Sequence, residues 1–195
     1  MLAGAISLSA CEEEKKDNNS NDPSGGGNIS VPNNTVAAGS ESASVNKYLL
    51  TKQPDLNAQG EEYISIFFYQ DVLTNRDNTM LISLKEIPAA STTLTWQSGS
   101  YAVGNLGLDE FVVSNKVNGK NWYGEYTATG YATTGNMEVT VANGKITFAF
   151  EGINLGDNFI GASITERRAC GGKVTLTLSE LQNFNPQGTE GDLID

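Results

Sequence analysis

The chain has no histidine among its 195 residues, and its cysteines are Cys11 and Cys170 alone. Without histidine, the Ser-His-Asp and Cys-His arrangements of hydrolases cannot form, and the most frequent acid-base side chain is missing. A zinc site needs several histidine or cysteine ligands, which this chain does not supply. We therefore expect a protein that is not an enzyme and that carries no cofactor.

Positive charge is also scarce. Lys and Arg number 12 against 23 Asp and Glu, which gives a formal net charge of −11 at pH 7. Nucleic-acid binding needs a basic patch that displaces counterions from phosphates, and adsorption to anionic lipid headgroups needs the same charges. The composition therefore excludes nucleic acid as an expected partner and disfavours direct electrostatic binding to a membrane.

Long apolar runs are missing too, since no stretch approaches the roughly 20 residues of a membrane-spanning helix. A short apolar run at the N-terminus ends in Leu8-Ser9-Ala10-Cys11 and is followed at once by the charged run Glu12–Asp17. This segment resembles the lipobox of bacterial lipoproteins, in which signal peptidase cuts before a cysteine that then carries acyl chains. The resemblance implies a signal peptide at residues 1–10 and lipidation at Cys11.

The acidic residues directly behind Cys11 are similar to the export signal of surface lipoproteins of the Bacteroidota. This similarity implies a lipid-anchored protein of the outer membrane, exposed at the cell surface, whose acylated Cys11 contacts the bilayer. Each buried methylene of such a chain contributes about 0.8 kcal/mol. Met1–Ala10 lacks the Lys or Arg that usually opens a signal peptide. A start upstream of Met1 would account for this, and an accidental cysteine in a disordered N-terminus is the alternative.

Composition divides the rest of the chain into three parts. Residues 11–44 are rich in Asn, Ser, Gly, Pro, Asp and Glu, which predicts a flexible linker behind the lipidated cysteine. Residues 45–185 contain the large apolar side chains and are long enough for one folded domain. Residues 186–195 are polar and are expected to form a disordered tail.

Period-2 alternation is clearest on the two sides of Asn143-Gly144. An Asn-Gly pair is the strongest short hairpin signal, because both residues must adopt positive φ. The register that this turn sets produces three apolar pairs on one face: Val141 with Ile146, Val139 with Phe148 and Met137 with Phe150. The other face pairs Thr140 with Thr147 and Glu138 with Ala149. Turn chemistry and hydrophobic pattern thus predict the same register.

A second Asn-Gly pair, at residues 118–119, joins Phe111–Lys116 to Asn121–Tyr126. It sets Tyr123 opposite Ser114 and Tyr126 opposite Phe111. Alternation predicts further strands at Tyr48–Lys52, Glu62–Gln70, Met80–Lys85, Thr92–Gln97, Phe159–Thr165 and Lys173–Leu178.

About ten short strands with regular turn signals predict an all-β fold. We favour an antiparallel β-sandwich, with a lipocalin-like β-barrel as the alternative. The strand and turn segments Gly99–Tyr101, Gly135–Val141, Asn143–Phe148 and Gly171–Val174 resemble the small all-β domains of surface lipoproteins of gut and marine Bacteroidota.

Aromatic residues are concentrated in Asn121–Tyr131, where Trp122, Tyr123, Tyr126 and Tyr131 are candidate ligand-binding residues. Exposed rings beside polar groups provide the apolar area and the hydrogen-bonding tips that a carbohydrate or a protein ligand requires. Alternation places Trp122 and Tyr126 on one face, where they alternatively fill the core. Tyr123 is the strongest candidate, because its predicted partner Ser114 is polar.

The alternative to a protein without a cofactor is a protein that binds calcium. Oxygen-bearing side chains suitable for this ion cluster in two segments: Asp71, Asn75, Asp77 and Asn78, and then Asn154, Asp157 and Asn158. Such residues also populate ordinary turns. Cys170 lacks a disulfide partner if Cys11 is acylated, and we expect it to be buried.

Three functions remain open from the sequence. We favour a surface-anchored, non-catalytic binding or structural module whose partner the sequence does not identify, a glycan and a surface protein being the candidates. The alternative is a glycan-binding accessory of a polysaccharide uptake system. An acid-based hydrolase is third, since glycosidase chemistry needs two carboxylates across a bond and the sequence selects no pair.

Overall fold

The computed structural model describes residues 30–54, 62–71, 76–97, 106–127 and 130–195. Over these ranges the chain is all-β, as predicted, with one short helix, α1 (Leu178–Gln182), and a turn of 3₁₀ helix at Gly161–Ser163. The strands are β1 (Thr35–Ala38), β2 (Glu41–Ser44), β3 (Lys47–Pro54), β4 (Glu62–Tyr69), β5 (Thr79–Leu84), β6 (Thr92–Trp96), β7 (Glu110–Val117), β8 (Lys120–Tyr123), β9 (Tyr126–Thr127), β10 (Gly130–Tyr131), β11 (Asn136–Ala142), β12 (Lys145–Gly156), β13 (Arg167–Thr177) and β14 (Thr189–Asp192).

One large sheet contains all of these strands except β9 and β10, which pair with each other. Its order is β14-β3-β4-β5-β7-β6-β11-β12-β13-β1-β2, and β8 bridges β7 to β12. This bridge closes β7, β6, β11, β12 and β8 into a five-stranded barrel, and the other strands extend the sheet beyond it. The architecture is compatible with the expected sandwich and with the barrel alternative.

The strand pairs of the large sheet are antiparallel except for β6 and β7. These two run parallel, with Thr95 opposite Glu110 and Trp96 opposite Phe111. A parallel pair cannot be joined by a tight hairpin and needs a longer crossover. The turn signals of the sequence did not reveal this parallel pair.

Both predicted Asn-Gly hairpins are present. Asn143 and Gly144 have φ of 53° and 73°, and Asn118 and Gly119 have φ of 50° and 80°, as the tight hairpin turn requires. The β11–β12 register confirms the predicted pairs Val141–Ile146, Thr140–Thr147, Val139–Phe148 and Glu138–Ala149. The paired ladder ends there, one position before the predicted Met137–Phe150 pair, although both of those side chains are buried.

The segment predicted as a linker contains two strands. Val36 and Ala38 of β1 are fully buried and lie opposite Gly172 and Cys170 of β13, and β2 pairs with β1. These strands have few large apolar side chains, so periodicity does not reveal them. Strand β1 is held by backbone pairing with the distant strand β13, and β2 is held by pairing with β1.

The segment predicted as a disordered tail also folds. Strand β14 pairs with β3, and Leu193 packs against the core. The side-chain amides of Asn33 and Asn34 donate to the carbonyl oxygen of Ile194 at 3.3 and 3.1 Å. The two ends of the described chain therefore hold each other, which composition alone does not predict.

The core lies between the curved parts of the sheet. Its largest fully buried side chains are Trp122, Tyr48, Phe68, Phe111 and Phe148. Cys170 is buried there as a free thiol, and burial raises the pKa of that thiol to about 12. In the ranges that the structure describes, no helix has the length and apolarity to cross a membrane.

Candidate functional site

Trp122 lies in the core and is only 1% exposed. The Lys120 ammonium and the Arg168 guanidinium lie 4.8 and 5.0 Å from its ring centroid, and Arg168 pairs in turn with Glu41 and Glu166 at 2.7 and 2.6 Å. At these distances a cation is attracted to the face of an aromatic ring, and this cation–π interaction helps to hold the indole in its position. The structure thus removes Trp122 from the candidate ligand contacts and gives it a packing role.

Tyr126 departs from the predicted hairpin. Strand β8 ends at Tyr123, so Tyr126 does not lie opposite Phe111 as predicted. Its backbone pairs instead with Tyr131 in the β9–β10 ribbon, and its N–H donates to the carbonyl oxygen of Phe159 at 2.7 Å. The Tyr126 side chain is half-buried, at the edge of a cavity described below.

Tyr123 lies on the outer face of the sheet, opposite Ser114 as predicted. Its side chain is half-buried. The ring meets that of Phe159 edge to face, with centroids 6.2 Å apart and planes at 84°. This is a favourable arrangement for two aromatic rings, because the positive edge of one faces the negative face of the other.

These two rings border a groove, here called the aromatic groove, which runs over the outer face of β4, β5, β7 and β8. Its volume is about 280 Å³, and its apolar lining includes Tyr63, Leu81, Val112, Tyr123 and Phe159. Its polar lining consists of Ser65, Ser83 and Ser114, and none of its lining residues is charged.

Strand register explains why these residues meet. Ser65 of β4 lies opposite Ser83 of β5, and Ser114 of β7 lies between Leu81 of β5 and Tyr123 of β8. Residues opposite each other in neighbouring strands point to the same face of a sheet. One row of this face therefore contains Leu81, Ser114 and Tyr123, and the adjacent row contains Val112 and the largely buried Ser65 and Ser83.

A loop between β12 and β13 holds Phe159 in place. The Asp157 carboxylate accepts hydrogen bonds from the backbone N–H groups of Thr165 and Glu166, at 2.9 and 3.1 Å, and from the Thr165 hydroxyl. These bonds, led by the hydroxyl, lower the pKa of Asp157 to about 2. The turn occupies part of the strand predicted at Phe159–Thr165, where the structure has one bridge at Ile160 and the 3₁₀ turn.

A second cavity of about 510 Å³ adjoins this loop. It is lined by Glu125, Tyr126, Thr127, Ile160, Gly161 and Ala162. One carboxylate oxygen of Glu125 accepts from both Nε and Nη2 of Arg167, at 3.1 and 3.0 Å, so its charge is paired. The one carboxylate in the lining of this cavity is therefore engaged in an ion pair with Arg167.

Three of the candidate calcium ligands make local hydrogen bonds. Asp71 exchanges hydrogen bonds with Asn46, Asn78 accepts from the N–H of Asn118, and Asp157 holds the loop described above. Asn75 lies outside the described residues. Within those residues, the structure brings no three His, Cys, Asp or Glu side chains into a group that could hold a metal ion.

Comparison with protein-family models, with curated proteins and with solved structures found no match to this chain. The geometry of the aromatic groove is therefore what points to a function.

Two residues of the groove were missed at the level of sequence. Phe159 was predicted to begin a strand, although Asp157-Asn158 directly before it is a turn signal. Tyr63 lies in the strand predicted at Glu62–Gln70, and Ser65, on the same face, marks this face as the more polar one. Cys11 lies outside the described residues.

Proposed function

We propose that the chain is a non-catalytic binding module, held at the bacterial cell surface by the lipidated Cys11, and that the aromatic groove binds its ligand. In this proposal the extended sheet works as a β-sandwich whose outer face carries the site. The observation that supports it most is the pair of Tyr123 and Phe159, which border an uncharged groove instead of filling the core. Catalysis is not part of the proposal, because Glu125 beside the groove is paired with Arg167.

A glycan is the ligand that this groove suits best. With a glycan as ligand, the protein would act as an accessory of a polysaccharide uptake system. A sugar presents C–H faces and hydroxyls together. Tyrosine and phenylalanine rings offer apolar area to the C–H faces. Serine hydroxyls both donate hydrogen bonds to the sugar hydroxyls and accept hydrogen bonds from them. The row that contains Ser114 and Tyr123 provides both kinds of contact side by side.

Replacing Tyr123 with alanine should weaken retention on immobilised polysaccharides by about tenfold, because one ring contact is lost. The unfolding midpoint should stay close to that of the wild type, since the ring is only half-buried. Tyr123→Phe is the matched control and should keep most of the binding. If Tyr123→Ala unfolds the domain, the ring is structural, and if the wild type binds no glycan, the glycan assignment fails.

Replacing Cys11 with alanine should release the protein from the detergent phase to the aqueous phase when it is expressed with a complete signal peptide. The reason is that acyl chains on Cys11 are the proposed contact with the bilayer. Cys170→Ala is the control and should partition like the wild type, because that thiol is buried in the core. Equal partitioning of the wild type and Cys11→Ala would rule out the lipid anchor.

A further inference from the structure

We infer that the ligand site is bipartite: an extended, uncharged oligosaccharide binds across both the aromatic groove and the second cavity, over a ridge formed by Phe159 and Ile160. The inference rests on the binding function proposed for the aromatic groove. It adds the class and the length of the ligand.

The two cavities are continuous along two chain segments. Tyr123 and Gly124 line the groove, and the next residues, 125–127, line the second cavity. On the other side, Phe159 lines the groove and 160–162 line the second cavity. The bridge between Tyr126 and Ile160 and the hydrogen bond from Tyr126 to Phe159 tie these segments together. The two segments therefore form a wall that carries lining residues of both cavities.

That wall presents apolar surface to solvent. Phe159 is 55% exposed and Ile160 is 47% exposed, and both rank among the exposed large hydrophobic residues of the described chain. Exposed apolar side chains that line a pocket offer contact area to a ligand. Because Phe159 lines the groove and Ile160 lines the second cavity, a ligand that covers both side chains reaches lining residues of both cavities.

Size favours an oligomer. Pockets that enclose a small ligand measure about 300–1,000 Å³, and the groove of about 280 Å³ lies just below that range. The groove alone is therefore at the lower end of the sizes that suit a small ligand. Together with the adjoining cavity of about 510 Å³, the site falls well inside the range.

The charges of the site and of the whole chain favour an uncharged ligand. The groove lining contains no charged side chain, and the carboxylate of Glu125 in the second cavity is neutralised by Arg167. The chain as a whole carries a net charge of −11, which repels acidic polymers. A neutral sugar chain carries no charge, and it has apolar faces for the ridge and hydroxyls for the serines of the groove.

Titration calorimetry with neutral cello-, malto- and manno-oligosaccharides tests the inference. For the series that binds, affinity should rise by about tenfold or more from disaccharide to hexasaccharide. Ile160→Ser should keep the disaccharide affinity and lose this rise, with an unchanged unfolding midpoint. Leu108→Ser is the matched control: Leu108 is 65% exposed and lines neither cavity, so this variant should behave like the wild type.

The outcomes separate this inference from the proposed function. Disaccharide binding that depends on Tyr123 but does not strengthen with length would overturn the bipartite site and leave the groove as a binding site. No binding by any oligosaccharide would remove the glycan assignment and the inference together. Oligogalacturonates that bind as tightly as neutral chains would overturn the uncharged ligand. If Leu108→Ser and Ile160→Ser lose the rise in affinity with length equally, the binding is nonspecific apolar adhesion, and the role of the ridge as a ligand contact is refuted.

Discussion

Replacing Val139 with lysine should lower the free energy of unfolding by several kcal/mol. Val139 is 2% exposed and lies between Phe148 of β12 and Thr92 of β6. A lysine at this position would bury an ammonium group without a partner, or would force the strand out of the sheet. Denaturant unfolding followed by tryptophan fluorescence measures the loss.

The neighbouring position provides the control. Thr140 is exposed and lies opposite Thr147 on the other face of β11, so Thr140→Lys should change stability by less than about 0.5 kcal/mol. One step along the strand thus separates a large effect from a negligible one. Similar unfolding midpoints for the two lysine variants would show that the register or the burial described here is wrong.

The predictable part of the fold is the part specified locally. The turn at Asn143-Gly144 requires positive φ at both residues, and the alternation on its two sides agrees with it. No information from elsewhere in the chain is needed to pair Val139 with Phe148. The same reasoning placed Tyr123 opposite Ser114 around the second turn.

The unpredicted part depends on contacts between distant segments. Strand β1 is stabilised by β13, and β14 by β3, although neither β1 nor β14 has an alternating apolar pattern. The parallel β6–β7 pair and the closure of the barrel at Gly156 and Tyr123 likewise join residues far apart in sequence. Strand pairs that join residues far apart in the chain produce no periodic hydrophobic pattern in the sequence.

The candidate site shows the same division. Alternation around the second Asn-Gly turn separated Tyr123 from Trp122, and the structure places the first on the outer face and the second in the core. Alternation could not supply Phe159, because its contact with Tyr123 depends on the loop that Asp157 holds. The three serines of the groove come from three different strands, β4, β5 and β7.

Gly124 connects the core to the site. It follows Tyr123 directly, and a Cβ atom at this position would fall inside the van der Waals envelope of the Trp96 ring. Trp96 is buried and packs edge to face against Phe111, with ring centroids 5.4 Å apart. The indole therefore cannot move aside without disturbing the barrel interior, and the close approach requires a residue without a side chain.

Gly124→Ala should accordingly destabilise the protein by about 1–3 kcal/mol and alter its tryptophan emission, because overpacking shifts Trp96 or the backbone. It should also weaken ligand binding, since the same shift moves Tyr123. Gly107→Ala is the matched control: its Cβ would meet first the mobile carboxylate of Asp109, at 3.1 Å, so stability should change by less than about 0.5 kcal/mol. If the two alanine variants unfold at the same denaturant concentration, Trp96 does not restrict this backbone, and the proposed coupling between core and groove is refuted.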